Sequence, residues 1–271
     1  MIRRKITVED GTANWLLISQ VEHARVSGEI TRAWQLPFPQ EAIDGITHHD
    51  DGWAEWEAAP RIDRERGRPT SFLELPIAEA LGIWNRSIES AHQIGELAGA
   101  IVAGHFLGLA GGSDQADNPL VTHWSRGWTL FREGWIAQWK NQEAGNTQAV
   151  FDQAQQMQLA ADLLSLWLCM DGPISSGGDE ARPNSEMQSR SATVLGKYRF
   201  ETKSQTLTPR GLDWSGSLTP WPFAREAVEF AAPAMAVPVG NYADWPSILA
   251  VSRPFALRWR LRQTLPAPDE C

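Results

Sequence analysis

The sequence predicts an α+β protein, mainly helical, with a small C-terminal β-sheet that can recruit an N-terminal hairpin. Three observations lead there. Apolar residues recur at helical spacing from about residue 20 to residue 170. A Ser- and Gly-rich stretch follows at 174–193, and short β-prone runs separated by turn residues complete the chain. The expected organisation is a helical domain at 1–172, a polar linker at 173–193 and a β-rich region at 194–271 packed on the helices.

Each element has its own signal. Residues 4–8 and 15–18 are β-prone and flank Glu9-Asp10-Gly11, an Asp-Gly turn that suits a hairpin. His23, Ser27, Ile30 and Trp34 share one face of a helix at 20–34, which Pro37 and Pro39 stop. Ala42, Ile46, His49, Trp53 and Trp56 mark a second helix at 40–58, with His49 on its buried stripe and His48 outward. Residues 60–76 carry Gly67, several prolines and Arg61, Arg64, Arg66 and Arg68, and read as a loop.

A long helix is expected at 83–109, where Ala91, Ile94, Ala98, Ile101 and His105 align and His92 points about 140° away from His105. Gly111-Gly112-Ser113 ends it. Trp124, Trp128, Trp135 and Trp139 stripe the next helix, to about residue 142, and a last one covers 147–170. Strands are expected at 194–200, 227–232 and 249–261. Trp214, Trp221 and Trp245 are expected to pack the sheet over the helices, with a lid over a pocket as the alternative.

Composition excludes several functions. A net charge of -9 repels phosphate backbones, so nucleic acid is not an expected partner. The start MIRRKITVEDGTANW has no apolar segment after its basic residues, and no run approaches the roughly 20 apolar residues of a membrane span. A cytoplasmic location is expected. With only Cys169 and Cys271, neither a disulfide framework nor a thiolate site is expected, so any metal is held by nitrogen and oxygen. Fourteen tryptophans read as core.

The chemistry gathers around THHDDGW, residues 47–53, which sets two imidazoles beside two carboxylates in a chain with six histidines. A His-Asp pair offers one neutral nitrogen and one anionic oxygen, a combination suited to iron, manganese or zinc that needs partners from elsewhere. Asp162 lies in LAADLLSLWLCM, a helix apolar nearly all round. A carboxylate buried there needs an ion pair, a proton or a metal. His23, His49 and His105 occupy inward stripes of separate helices, so each can present a ligand to one interior.

The order His23, His49-Asp50, His105, Asp162 resembles the HD-domain superfamily, an all-helical group of metal-dependent proteins. The resemblance covers about residues 20–170 and implies an HD-like helical domain whose primary site is His23, His49, Asp50 and Asp162. It makes His105 a ligand for a second ion or for substrate, with His92 a weaker candidate. HDDGW with Trp56, GRPTSF at 67–72, GHF at 104–106 and DLLSLWLC at 162–169 further resemble an uncharacterised bacterial domain-of-unknown-function family. Superfamily members often carry HDxGK, whereas Trp53 follows Gly52 here. Arg61, Arg64, Arg66 and Arg68 are the candidates to replace that cation toward substrate, and Asp51 is the candidate general base on a metal-activated water. His123 reads as a structural donor.

Three functions compete on these residues. The leading expectation is a metal-dependent phosphohydrolase on a small phosphorylated molecule, using one or two ions of iron, manganese or zinc. The alternatives are a dinuclear iron oxygenase of HD type and a non-catalytic binding or scaffold module. The substrate and the oligomeric state are not specified by these residues.

Overall fold

The computed structural model describes residues 1–7, 11–170 and 198–264. The expected linker at 173–193, residues 8–10 of the hairpin turn, the start of the strand expected at 194 and Cys271 lie outside the described residues. Strands β1 (Ile2–Thr7) and β2 (Ala13–Ile18) pair antiparallel and lead into helix α1 (Gln20–Ala33). Helix α2 (Gln40–Thr47), a 3-10 turn (Asp51–Trp53) and the short α3 (Ala54–Ala58) follow. A two-residue hairpin, β3 (Ile62–Asp63) and β4 (Arg68–Pro69), interrupts the expected loop. Helices α4 (Ile77–Ile94), α5 (Glu96–Gly111), α6 (Pro119–Gln142) and α7 (Gln148–Met170) form the bulk. The chain resumes with β5 (Arg199–Thr208), β6 (Gly211–Thr219), β7 (Ala227–Pro238), α8 (Trp245–Val251) and β8 (Arg253–Arg262).

The α+β class and the recruited hairpin agree with the sequence, but the sheet is not a small C-terminal one. It has six strands in the order β1-β2-β7-β8-β6-β5, antiparallel except for the β6 and β8 pair. Strand β2 joins both ends of the chain by pairing with β7, Trp15 opposite Val237. Strand β6 escapes sequence reading because its outward positions are Asp and Ser and its interior holds Gly216, residues of low β-propensity. Its inward Leu212, Trp214 and Leu218 are buried. One continuous apolar core runs from the sheet through α1, α5 and α7, and α5 is buried on almost every side.

Three further expectations need correction. The helix expected at 83–109 is two helices broken at Gly95, because the Glu41 carboxylate of α2 caps α5 through the Leu97 amide at 2.6 Å and the Ala98 amide at 3.3 Å. A side chain at residue 95 would collide with that carboxylate. The helix expected at 40–58 stops at Thr47 and resumes only as a 3-10 turn and one short helix. The strand expected at 249–261 begins instead at Arg253. Before it lies α8, whose Asp244 side chain accepts from the Ser247 amide at 2.9 Å in a capping box.

Candidate metal centre

Four buried side chains from α1, α7 and the turn after α2 meet in the interior. On α1, Ser19 caps the helix by accepting from the Val21 amide, which fixes the first turn and points His23 inward. On α7, the apolar surroundings that made Asp162 conspicuous bury it beside His23. The break after α2 supplies the other two. In a continuous helix, adjacent residues diverge by about 100° and His49 and Asp50 could not face one point. The turn at 48–50 lets both face inward while His48 stays outside, its Nδ1 3.0 Å from Asp51 Oδ2.

Gly52 explains why the turn is tolerated. Its amide donates to Ser87 Oγ of α4 at 3.1 Å, and any side chain there would strike the Ile83 carbonyl and Ser87. The glycine and the following Trp53, itself buried, are therefore packing requirements of the motif.

The geometry is tight. His23 Nε2 lies 3.0 Å from Asp162 Oδ1 and 3.8 Å from Asp50 Oδ2. His49 Nε2 lies 3.3 and 3.8 Å from the same two oxygens. One ligand atom from each of His23, His49 and Asp162 falls within 4.8 Å of the others. All four residues are at most 5% exposed, so their charges must be balanced by one another or by an ion.

Both imidazoles are oriented by their far nitrogens. His49 Nδ1 is 2.8 Å from the Ile46 carbonyl, which only accepts, so Nδ1 carries the proton and Nε2 faces the carboxylates. His23 Nδ1 is 2.6 Å from Ser165 Oγ, which also lies 2.9 Å from the Asp162 carbonyl; with its hydrogen on that carbonyl, Ser165 accepts from His23 Nδ1. Ser27 Oγ, 2.7 Å from Ser165 Oγ, completes this support. Although close to Asp162, His49 Nε2 is misaligned for a hydrogen bond and has no hydrogen-bond partner among the described residues. A buried imidazole nitrogen left so, aimed at two carboxylates, fits an ion better than a structural network.

Protonation is strongly perturbed. Burial pulls the His49 imidazole down, but the charges of Asp50 and Asp162 and the Ile46 carbonyl outweigh it and push it up to about 9. Burial alone would raise Asp162, yet nearby His105, His23 and His49 hold it well below the usual carboxylate range. Burial pushes the Asp50 carboxyl up against the pull of the two imidazoles.

A cavity of about 180 Å³ opens onto this cluster, with His23, Asp50, His105 and Asp162 among its lining. His105 is 8% exposed, and its ring centroid is 5.2 Å from that of His49. The remaining walls are mostly Trp, Phe and Leu, and among the described residues no Lys or Arg lines them. Gln20 and Ser165 were missed by sequence reading, and Ser27 was placed on the His23 face without a role, although Ser165 follows Asp162 by three residues and helical spacing could have found it.

The other candidates lie elsewhere. Asp51 faces His48, outside the cavity wall. Arg61 pairs with Glu79 at 2.9 Å, Arg66 with Asp63 at 2.9 Å and Arg68 with Glu74 at 2.7 Å, while Arg64 is exposed, and none of the four lines the cavity. His92 packs on Trp135 with ring centroids 4.2 Å apart, and His123 is exposed. No helix among the described residues is long and apolar enough to cross a membrane.

Fold and site together define an α+β protein with a buried His/His/Asp group that could hold a metal ion. The chain belongs to the family described as "Protein of unknown function (DUF3891)", whose model matches residues 5–239. No curated protein and no solved structure matches it.

Proposed function

We propose that this protein is a metal-dependent phosphohydrolase acting on a small phosphorylated molecule. The observation that carries the reading is the convergence of His23, His49, Asp50 and Asp162, three of which (His23, Asp50 and Asp162) line a cavity, with both Nε2 atoms turned toward the carboxylates. The order of these residues in the HD-domain superfamily, which the chain resembles, supports the same assignment. These four would hold iron, manganese or zinc, the metals their nitrogen and oxygen donors suit. When bound, such an ion supplies Lewis acidity and lowers the pKa of a coordinated water toward neutrality.

The chain's own residues have separate tasks. Ile46 and Ser165 hold the two imidazoles by their Nδ1 atoms, so that Nε2 faces the cluster once the His49 proton is displaced. His105 borders the cavity and is placed to give a proton to the leaving oxygen. The apolar walls exclude bulk water, which strengthens every charge interaction at the floor. Arg61 and Arg68 would have to leave their carboxylate partners to reach substrate.

The test is phosphate release from small phosphomonoesters by protein reconstituted in turn with manganese, zinc and iron. Release that disappears in Asp162→Asn is expected. No release with any of the three metals overturns the reading. A second reading, a dinuclear iron oxygenase, is favoured by the lack of Lys and Arg among the described residues of the cavity lining and by His105 as a further nitrogen donor. Oxygen consumption by the iron-loaded protein without phosphatase activity would put it first, and an iron-loaded protein inert to oxygen removes it.

A further inference from the structure

The cavity walls identify more than a metal centre. Trp84 and Phe106 stack with centroids 5.4 Å apart and planes 23° from parallel, and Trp53 meets Phe72 edge-on at 6.4 Å. Leucines of α5 and α7 close the other sides. Its volume is about 180 Å³. That lies below the roughly 300–1,000 Å³ of ordinary ligand pockets.

Its electrostatics are one-sided. Asp50 and Asp162 place carboxyl groups at the floor, and among the described residues no guanidinium or ammonium lines the walls. A second phosphate would therefore be stripped of water without a cation to receive it, which is costly in an apolar enclosure. The uncharged polar group on the wall with an open valence is Gln20, which is buried and whose Oε1 has no hydrogen-bond partner among the described residues. A neutral hydroxyl or N–H donor satisfies such an oxygen.

We propose that the cavity selects a small molecule with an apolar, ring-sized body, a neutral hydrogen-bond donor for Gln20, and no anionic group beyond the one that reacts. This rests on the cluster being the reacting centre. It sets the substrate apart from nucleotides, whose sugar, base and phosphates exceed the space and carry charge the walls do not answer.

Benzyl alcohol and ADP serve as probes, titrated into metal-depleted and metal-loaded protein while the indole N–H resonances of Trp53 and Trp84 and the melting temperature are followed. Benzyl alcohol is expected to saturate in both forms, with a Kd at least tenfold below that of ADP. Leu163→Arg, on the cavity wall, should raise the benzyl alcohol Kd tenfold or more. If that variant does not fold, Ala80→Leu at the same cavity should do so. ADP binding as tightly as the alcohol, or no saturable alcohol binding in either form, overturns the proposal. Elemental analysis separates the two readings: saturable alcohol binding without metal uptake removes the metal-centre function alone, and metal uptake with tighter ADP binding removes the substrate class alone.

Discussion

Two charged clusters in this molecule look alike in sequence and differ completely in space. Of the arginines at 61–68, Arg61, Arg66 and Arg68 pair with carboxylates at or near the surface, 2.7–2.9 Å away, and Arg64 is exposed. The histidines and aspartates of the α1, α2 and α7 cluster are buried, and one imidazole nitrogen is left without a hydrogen bond. Charge in water is cheap and closes on itself, whereas charge in the core must be balanced by something specific. The second cluster therefore carries the functional reading.

Removing Asp162 tests this contrast most severely. Asp162→Ala leaves His23 and His49 facing a void in a buried site, and breaking a buried charged pair costs about 3–5 kcal/mol. Metal content should fall to background, measured by elemental analysis, and chelator should no longer lower the melting temperature as it does in the unmodified protein. A variant that keeps its stability and its metal would make this cluster no different in kind from the arginine pairs.

Acidity provides the next handle. The His49 imidazole is raised to about 9 in the folded chain from its ordinary 6.5. Protonation thus stabilises the metal-free fold fully below pH 6.5, and this contribution fades as the pH climbs to 9. Metal must displace that proton, so the apparent Kd for zinc should fall about tenfold per pH unit across the same window. Metal-free protein should lose stability from pH 6.5 to 9 while metal-loaded protein loses much less. Parallel melting curves for the two forms would contradict a shared role for His49. Ser165→Ala, which releases His23 Nδ1, should have a smaller effect, weakening metal binding about 10- to 100-fold with the fold retained. Unchanged affinity would reduce Ser165 to packing.

Much of the buried cluster was legible because burial can be read from a single helix. Asp162 among leucines is a local fact, and the structure buries it; His49 is buried too, but by the turn after Thr47 and not by the helical stripe that suggested it. What escaped depends on residues distant in sequence. No local pattern announces that Glu41 will cap α5 and split a helix at Gly95, or that Gly52 must touch Ser87 of α4. The break after Thr47 escaped for the same reason, and with it the way His49 and Asp50 both turn inward. Strand β6 was hidden by Gly and Ser that only its neighbours β5 and β8 make acceptable.

The smallest effect is expected where the sequence promised a substrate contact. Arg61 is 65% exposed, and its Glu79 partner also accepts from Trp56 Nε1 at 2.8 Å, so Arg61→Ala leaves no buried group unpaired. Its stability change should stay within about 0.5 kcal/mol, as for other exposed pairs. Metal content and the benzyl alcohol Kd should be unchanged, since Arg61 does not line the cavity. If Arg61→Ala instead cut phosphate release more than tenfold with full metal content, the arginine would have to leave Glu79 during turnover and reach the cavity mouth. The surface cluster would then be the missing cation of the buried one, and the contrast between them would describe the resting state alone.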